Sequence, residues 1–248
     1  MARTIYVIWL REMIKFRREP ARMATSLIQP LIWLFVVGKG FGSVFPSPFA
    51  HLTYVQFMFP GVVGMTILFT ALFSSVSILW DREFGFLKGV LVAPVPSTGI
   101  VLGKAASGAT LGAIQGALIL ALGPTVGMPY RWEALLAALG LMLLLSLAVA
   151  AAGIAVAVRI TSFQTFQVLM NLIVMPLFFL SGAIFPVRGL PLPLRVLSDV
   201  DPLTYGVDAM KGVLLHQHEF PLSLDLGVVF LLTAGLTALA TVLFRRSL

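Results

Sequence analysis

Long uncharged apolar runs alternate with short charged stretches along this chain, and a bilayer core about 30 Å thick needs roughly 20 apolar residues in helix. Six such runs stand between charged residues. The first extends from Met23 to Gly38, between Arg22 and Lys39, and continues past Lys39 with that side chain reaching outward. The second fills Met58 to Trp80. A third lies between Lys104 and Arg131, a fourth between Glu133 and Arg159, a fifth between Arg159 and Arg188, and the last from Leu226 to Phe244. The pattern predicts an all-α membrane protein of six transmembrane helices, with residues 1–248 forming one transmembrane domain.

Three segments have a different rhythm. Over residues 3–22, Arg11, Lys15, Arg18 and Arg22 recur at helical spacing while Tyr6, Trp9, Leu10, Met13 and Phe16 take the other side. This predicts an amphipathic helix lying in the membrane surface, either anchored to anionic lipid or touching a cytoplasmic partner. Pro20 and Pro30 mark the elbow into the first span. After the second span, residues 81–92 predict a short helix capped by Asp81, with Phe84, Leu87 and Leu91 on one face and Asp81, Arg82, Glu83 and Lys88 supplying charge. That element is larger than a connection requires and suits docking to another protein. Between the fifth and sixth spans, residues 186–221 are too apolar for a watery loop and too often cut by proline to cross. Asp201-Pro202 starts a helix whose Leu203, Val207, Met210 and Leu214 form the apolar face, so a helical hairpin at or dipping into the outer interface is expected.

Composition then removes whole classes. Hydrophobic residues make up 59% of the chain and charged residues 11%, less than half the roughly 25% of soluble domains. Without cysteine there is no disulfide, thiol catalysis or thiolate metal site. The 17 Lys and Arg against 10 Asp and Glu read as membrane topology rather than as a nucleic-acid surface. With the N-terminus cytoplasmic, the inside collects twelve basic residues, among them Arg3, Arg82, Lys104, Arg159 and Arg245, and the outside only Lys39, Arg131, Arg188, Arg195 and Lys211. Both termini are therefore expected in the cytoplasm of a bacterial or archaeal cell. A cleaved signal peptide fits poorly, because residues 1–22 mix six basic residues with Glu12 and Glu19 before any long apolar run.

Catalytic chemistry is scarce. Gly99 to Ala105 is too short for a phosphate loop and has Ala105 where a magnesium-binding hydroxyl belongs. His51, His216 and His218 fall in external segments, away from any intramembrane nucleophile, and Ser181-Gly182 alone makes a poor active site. His216-Gln217-His218-Glu219 reads as a polar turn rather than a metal site. What remains is a route for a solute. Gln164, Gln167 and Asn171 share one face of the fifth span beside Phe163, Phe166 and Met170, and the second span adds Thr66, Thr70, Ser74 and Ser77. These groups either line a path or hydrogen-bond between helices. Gly108, Gly112 and Gly116, at four-residue spacing, form a close-packing stripe facing a helix of this chain, such as the fourth span, or of a second copy.

Asp81-Arg82-Glu83-Phe84-Gly85 with Leu87, then Pro94 and Gly103-Lys104, then Leu180 to Pro186 with Leu190-Pro191, Asp201 to Tyr205 and Asp208, resemble the membrane subunit of ABC-2 type exporters, particularly drug-resistance permeases of the daunorubicin-exporter kind. The likeness covers nearly the whole chain. It implies a homodimer joined to two separate ATPase subunits that carry MgATP, with no cofactor on this chain. It also implies that the N-terminal helix and the coupling helix at residues 81–92 receive the ATPase motion, and that spans two and five line a central path capped by the outer hairpin. An excess of Phe, 19 against four Trp and four Tyr, favours a hydrophobic or amphipathic small molecule over a lipid-linked glycan or polysaccharide. Readings without a partner are a secondary transporter or channel using Lys39 and Lys104, and an intramembrane enzyme.

Overall fold

The computed structural model describes residues 1–44, 51–85, 96–128 and 130–246, the side chains of residues 22 and 23 excepted, and their long regular elements are helices. Helix α1 (Ala2–Arg18) is followed directly by α2 (Pro20–Ile32), whose first residue is the proline that needs no hydrogen-bond partner there. Inside α2, Pro30 lacks an N–H and crowds the carbonyl four residues back. A π-helical segment, Trp33–Val37, follows it and leads into α3 (Gly38–Val44), so the first pass is one interrupted helix. Trp33 sets its ring edge-on against Phe178 and Phe179, at 5.2 and 5.8 Å between centroids.

Helix α4 (Tyr54–Ser74) opens with a reciprocal cap between Thr53 and Gln56, and after a step at Ser75 the chain continues as α5 (Val76–Glu83). Then come α6 (Ser97–Leu120), α7 (Trp132–Ala157), α8 (Phe163–Leu180), the short pair α9 (Leu192–Val200) and α10 (Pro202–Leu215), and α11 (Leu222–Arg246). Helix α4 is the hub: Phe57, Met58, Phe59, Met65 and Ile67 are almost wholly buried, enclosed by α6, α7 and α10.

Among the described residues, five helical stretches are long and apolar enough to cross a membrane: Ala24–Val44, Tyr54–Glu83, Trp132–Ala157, Phe163–Leu180 and Leu222–Arg246. The expected third span, α6, is 24 residues long but not among them; its sequence is rich in glycine and carries Lys104, and most of its length is buried between α4 and α7. Its glycines make that burial possible. A Cβ at Gly112 would stand 2.6 Å from Ser146 Oγ on α7, and one at Gly108 would stand 2.4 Å from Ser74 Oγ and 2.8 Å from Ala150 Cβ. Gly116 faces Met142 and Ile67. The stripe therefore packs within this chain, against α4 and α7.

The N-terminal helix lies against α6, where Gly99 meets Thr4, Gly103 meets Ile8, and Trp9 Nε1 donates to Thr110 Oγ1 at 3.0 Å, while Tyr6, Val7, Leu10 and Ile14 stay exposed. It also stops at Arg18 rather than residue 22.

Candidate functional site

The α1 end of the bundle holds a network of buried charge that the periodicity of the sequence did not reveal. Lys104 lies two turns inside α6, too far from its end to reach water, and is 4% exposed. Its ammonium stands 2.6 Å from Asp81 Oδ2 and 3.3 Å from Glu12 Oε1, and donates to Ser77 Oγ at 2.9 Å. Asp81, at 3% exposure, also accepts both arms of Arg11, at 3.0 and 2.5 Å. Lys15 stands 3.8 Å from each carboxylate. Burial works against the charge on Arg11, but hydrogen bonding and attraction from Asp81 and Glu12 hold its pKa above the ordinary value. One network thus ties α1, α5 and α6.

This corrects two sequence expectations. Asp81 caps no helix: it sits in the last turn of α5, and its carboxylate turns inward because two cations wait there. Lys104, counted from sequence among the charges on the cytoplasmic side, is not at the surface; three polar partners hold it in the interior. The signals that could have revealed the network are Glu12, an acid inside an otherwise basic pattern, and Lys104, an ionisable group within an apolar run.

The next residues fasten a further element. Arg82 donates to the carbonyls of Val158 and Ile160, at 3.1 and 3.3 Å, in the connection between α7 and α8. Glu83 is exposed, and Phe84 is 80% exposed. Leu87 and Lys88, the rest of the expected coupling helix, lie outside the described residues. On α1, Arg18 is exposed and Lys15 half-buried.

The polar groups read from spans two and five separate. Thr66 is buried and donates to the Val62 carbonyl, while Thr70 donates to Gln115 Oε1 at 2.6 Å and Gln115 Nε2 donates to Ser26 Oγ at 2.6 Å. These are bonds within and between helices of one chain. On α8, Phe166 and Met170 point into the core, whereas Phe163, Gln164, Gln167 and Asn171 are exposed together. Gln115, Ser26 and Ser107 join Thr70 and Ser74 around a cavity of about 240 Å³ between α1, α2, α4, α5 and α6.

At the opposite end, Asp201 accepts the Leu203 N–H as the cap of α10. Lys211, buried in that helix, donates to the Gly182 carbonyl and lies 3.9 Å above the Phe57 ring. The carboxylate of Asp208 receives the Glu219 and Phe220 amides, and that of Glu219 receives those of Val187 and Arg188. Glu219, read from sequence as part of a polar turn, thus pins the end of the hairpin to its beginning. Ser181 is buried, and its hydroxyl is committed to the Phe178 carbonyl.

Apolar helices of crossing length, a buried charge network at one end and a short helix pair at the other define a multi-pass helical membrane protein of the permease kind. Residues 3–215 match the family described as ABC-2 type transporter, and this chain belongs to it. It is 29% identical to Nodulation protein J of Rhizobium leguminosarum bv. trifolii over 244 residues, covering 97% of this chain and 92% of that one. It is also 28% identical to the transport permease ycf38 of Cyanophora paradoxa over 216 residues, covering 86% and 74%. Nodulation protein J of Rhizobium meliloti (strain 1021) is 28% identical over 244 residues.

Proposed function

We propose that this chain is the transmembrane subunit of an ATP-driven exporter, working as a dimer with two copies of a separate ATPase that binds MgATP, and moving a hydrophobic or amphipathic small molecule across a plasma membrane. The network of Arg11, Glu12, Asp81 and Lys104 carries this reading. It makes the ends of α1, α5 and α6 one body, so that a push on exposed Glu83 or Phe84 is transmitted to three helices together. Arg82 extends the linkage to the connection between α7 and α8. A local displacement becomes a change of state only where packed elements have two arrangements, and a rigid end that drives α4 and α8 supplies the moving part.

In this reading α6 is the third of six passes, its Lys104 tolerated because it is paired, and both termini are cytoplasmic. The exposed face of Gln164, Gln167 and Asn171 beside Phe163 lines the path between two copies, with Phe166, Met170, Thr66 and Thr70 supporting that wall from behind. A ligand drives the change only through different affinities for the inward-open and outward-open states.

The test is purification of the tagged chain from native membranes in mild detergent, with mass spectrometry and ATPase measurement on the eluate. A stoichiometric ATPase whose turnover rises with amphipathic compounds is expected. Phe84→Ala and Glu83→Ala should keep the ATPase bound yet lower compound-stimulated turnover several-fold. An eluate with no ATPase would overturn the reading.

A further inference from the structure

Asp225 stands in the first turn of α11, immediately before the last apolar run, and is the acidic residue of that turn. Residues 221–224, 226 and 227 around it are exposed, yet Asp225 itself is 0% exposed, and neither carboxyl oxygen meets a hydrogen-bond donor among the described residues. What lies within hydrogen-bonding reach is another carboxylate, that of Asp208 on α10. Asp208 is 5% exposed. An acceptor therefore faces an acceptor inside the protein.

The two groups are not equivalent. Asp208 takes the Glu219 amide on both oxygens and the Phe220 amide on one, each at 2.9 Å, which are the bonds of a charged carboxylate. Asp225 has nothing of the kind. The neighbouring cations are already matched, since Lys211 is drawn by Glu219 and Asp208, and Arg188 donates to the Glu219 carbonyl. Two cations thus balance two carboxylates, and a charge on Asp225 would be surplus. On α10, Tyr205 feels Asp199 and Asp225 and donates to the Asp199 carbonyl, while Asp201 caps the helix start. From α4, Tyr54 donates to the Ile184 carbonyl, and where α7 begins Arg131 and Glu133 pair with each other at the surface. His216 and His218 are exposed, α8 carries no ionisable side chain, and α6 carries only Lys104, held by Asp81. The start of a helix favours a carboxylate weakly, whereas two buried carboxylates in contact cannot both stay charged.

We propose that Asp208 and Asp225 bind one proton between them, Asp225 donating it to Asp208, and that this bond latches α11 to the helical hairpin. Loss of the proton leaves two facing charges in the interior, and separation of the first turn of α11 from α10 relieves them. Acid on that side of the membrane therefore keeps the hairpin shut, and alkali frees it. The site lies within one chain and needs neither an ATPase nor a solute, so it stands or falls apart from the exporter reading.

The test uses the full chain in lipid nanodiscs and compares wild type with Asp225→Asn, whose amide keeps a donor toward Asp208 but cannot ionise. Infrared difference spectra of wild type should show the carbonyl band of a protonated carboxyl at about pH 5 that is lost by about pH 8, whereas ordinary aspartates ionise near about pH 4. The variant should lack it. Asp201, raised to about 7 by burial, gives such a band in both chains and cancels between them. Amide exchange over residues 216–225, corrected for its intrinsic pH dependence, should quicken about tenfold in wild type across the same interval, the change that loss of one charge-assisted hydrogen bond produces. In Asp225→Asn it should stay slow throughout. No excess of the band in wild type at about pH 5, or a pH response retained in the variant, would overturn the proposal. So would exchange that slows on adding sodium chloride and not on acidification, which would put a metal cation between the carboxylates.

Discussion

At the scale of single residues, this protein depends on charge placed where apolar side chains would pack more cheaply. A buried ion pair gives little net stability over a hydrophobic replacement, but removing one partner strands the other and costs about 3–5 kcal/mol. Asp81→Ala leaves Lys104, at 4% exposure, without its nearest carboxylate. Thermal unfolding followed by tryptophan fluorescence should show a loss of that order, and Asp81→Leu combined with Lys104→Leu should recover most of it. Lys211 makes a separate prediction at the other end. Burial is the main cause of its pKa falling from 10.5 to about 8, against the opposing pull of Glu219 and Asp208. The unfolded chain therefore holds more protons at this site between about pH 8 and 10.5, and stability gains a contribution that rises with pH through that window. In Lys211→Met the rise should disappear from melting curves recorded between pH 8 and 10.5.

At the scale of elements, α6 connects two kinds of packing. Its first half receives α1 at Gly99 and Gly103, and its second receives α4 and α7 at Gly108, Gly112 and Gly116. Gly112→Leu should lower the melting temperature by several degrees, consistent with overpacking penalties of about 1–3 kcal/mol; an unchanged profile would contradict the observed contact. The glycine stripe was legible in sequence because close approach needs small residues at fixed spacing. Likewise Asp201-Pro202 marked the start of α10 because cap and first-turn chemistry are local. The path of α1 was not legible. An amphipathic pattern states that a helix has an apolar face but not what covers it, and the partner here is α6, almost a hundred residues away. For the same reason the polar residues of spans two and five read as one set, although Thr66 and Thr70 satisfy their bonds inside the chain while Gln164, Gln167 and Asn171 are exposed. Hydrogen-bonding partners are a tertiary fact.

At the scale of the whole molecule, the two ends are fastened by different means: buried ion pairs at the α1 end, and side-chain carboxylates receiving backbone amides at the other. Movement of one end can therefore leave the fastenings of the other intact. The charge network also constrains synthesis. Arg11 meets Asp81 across 70 positions, and Glu12 meets Lys104 across 92. At translation rates of about 5–20 residues per second, α1 leaves the ribosome roughly 5–20 s before its last partner exists. Through that interval its basic face is available to anionic lipid, and nascent chains arrested before residue 97 should lose α1 to added protease. Chains arrested beyond residue 150, with Lys104 and α6 clear of the ribosome, should protect it. The first helix made thus finds its place only after α6 has been made, and its docking can serve as a check that the intervening passes have been inserted.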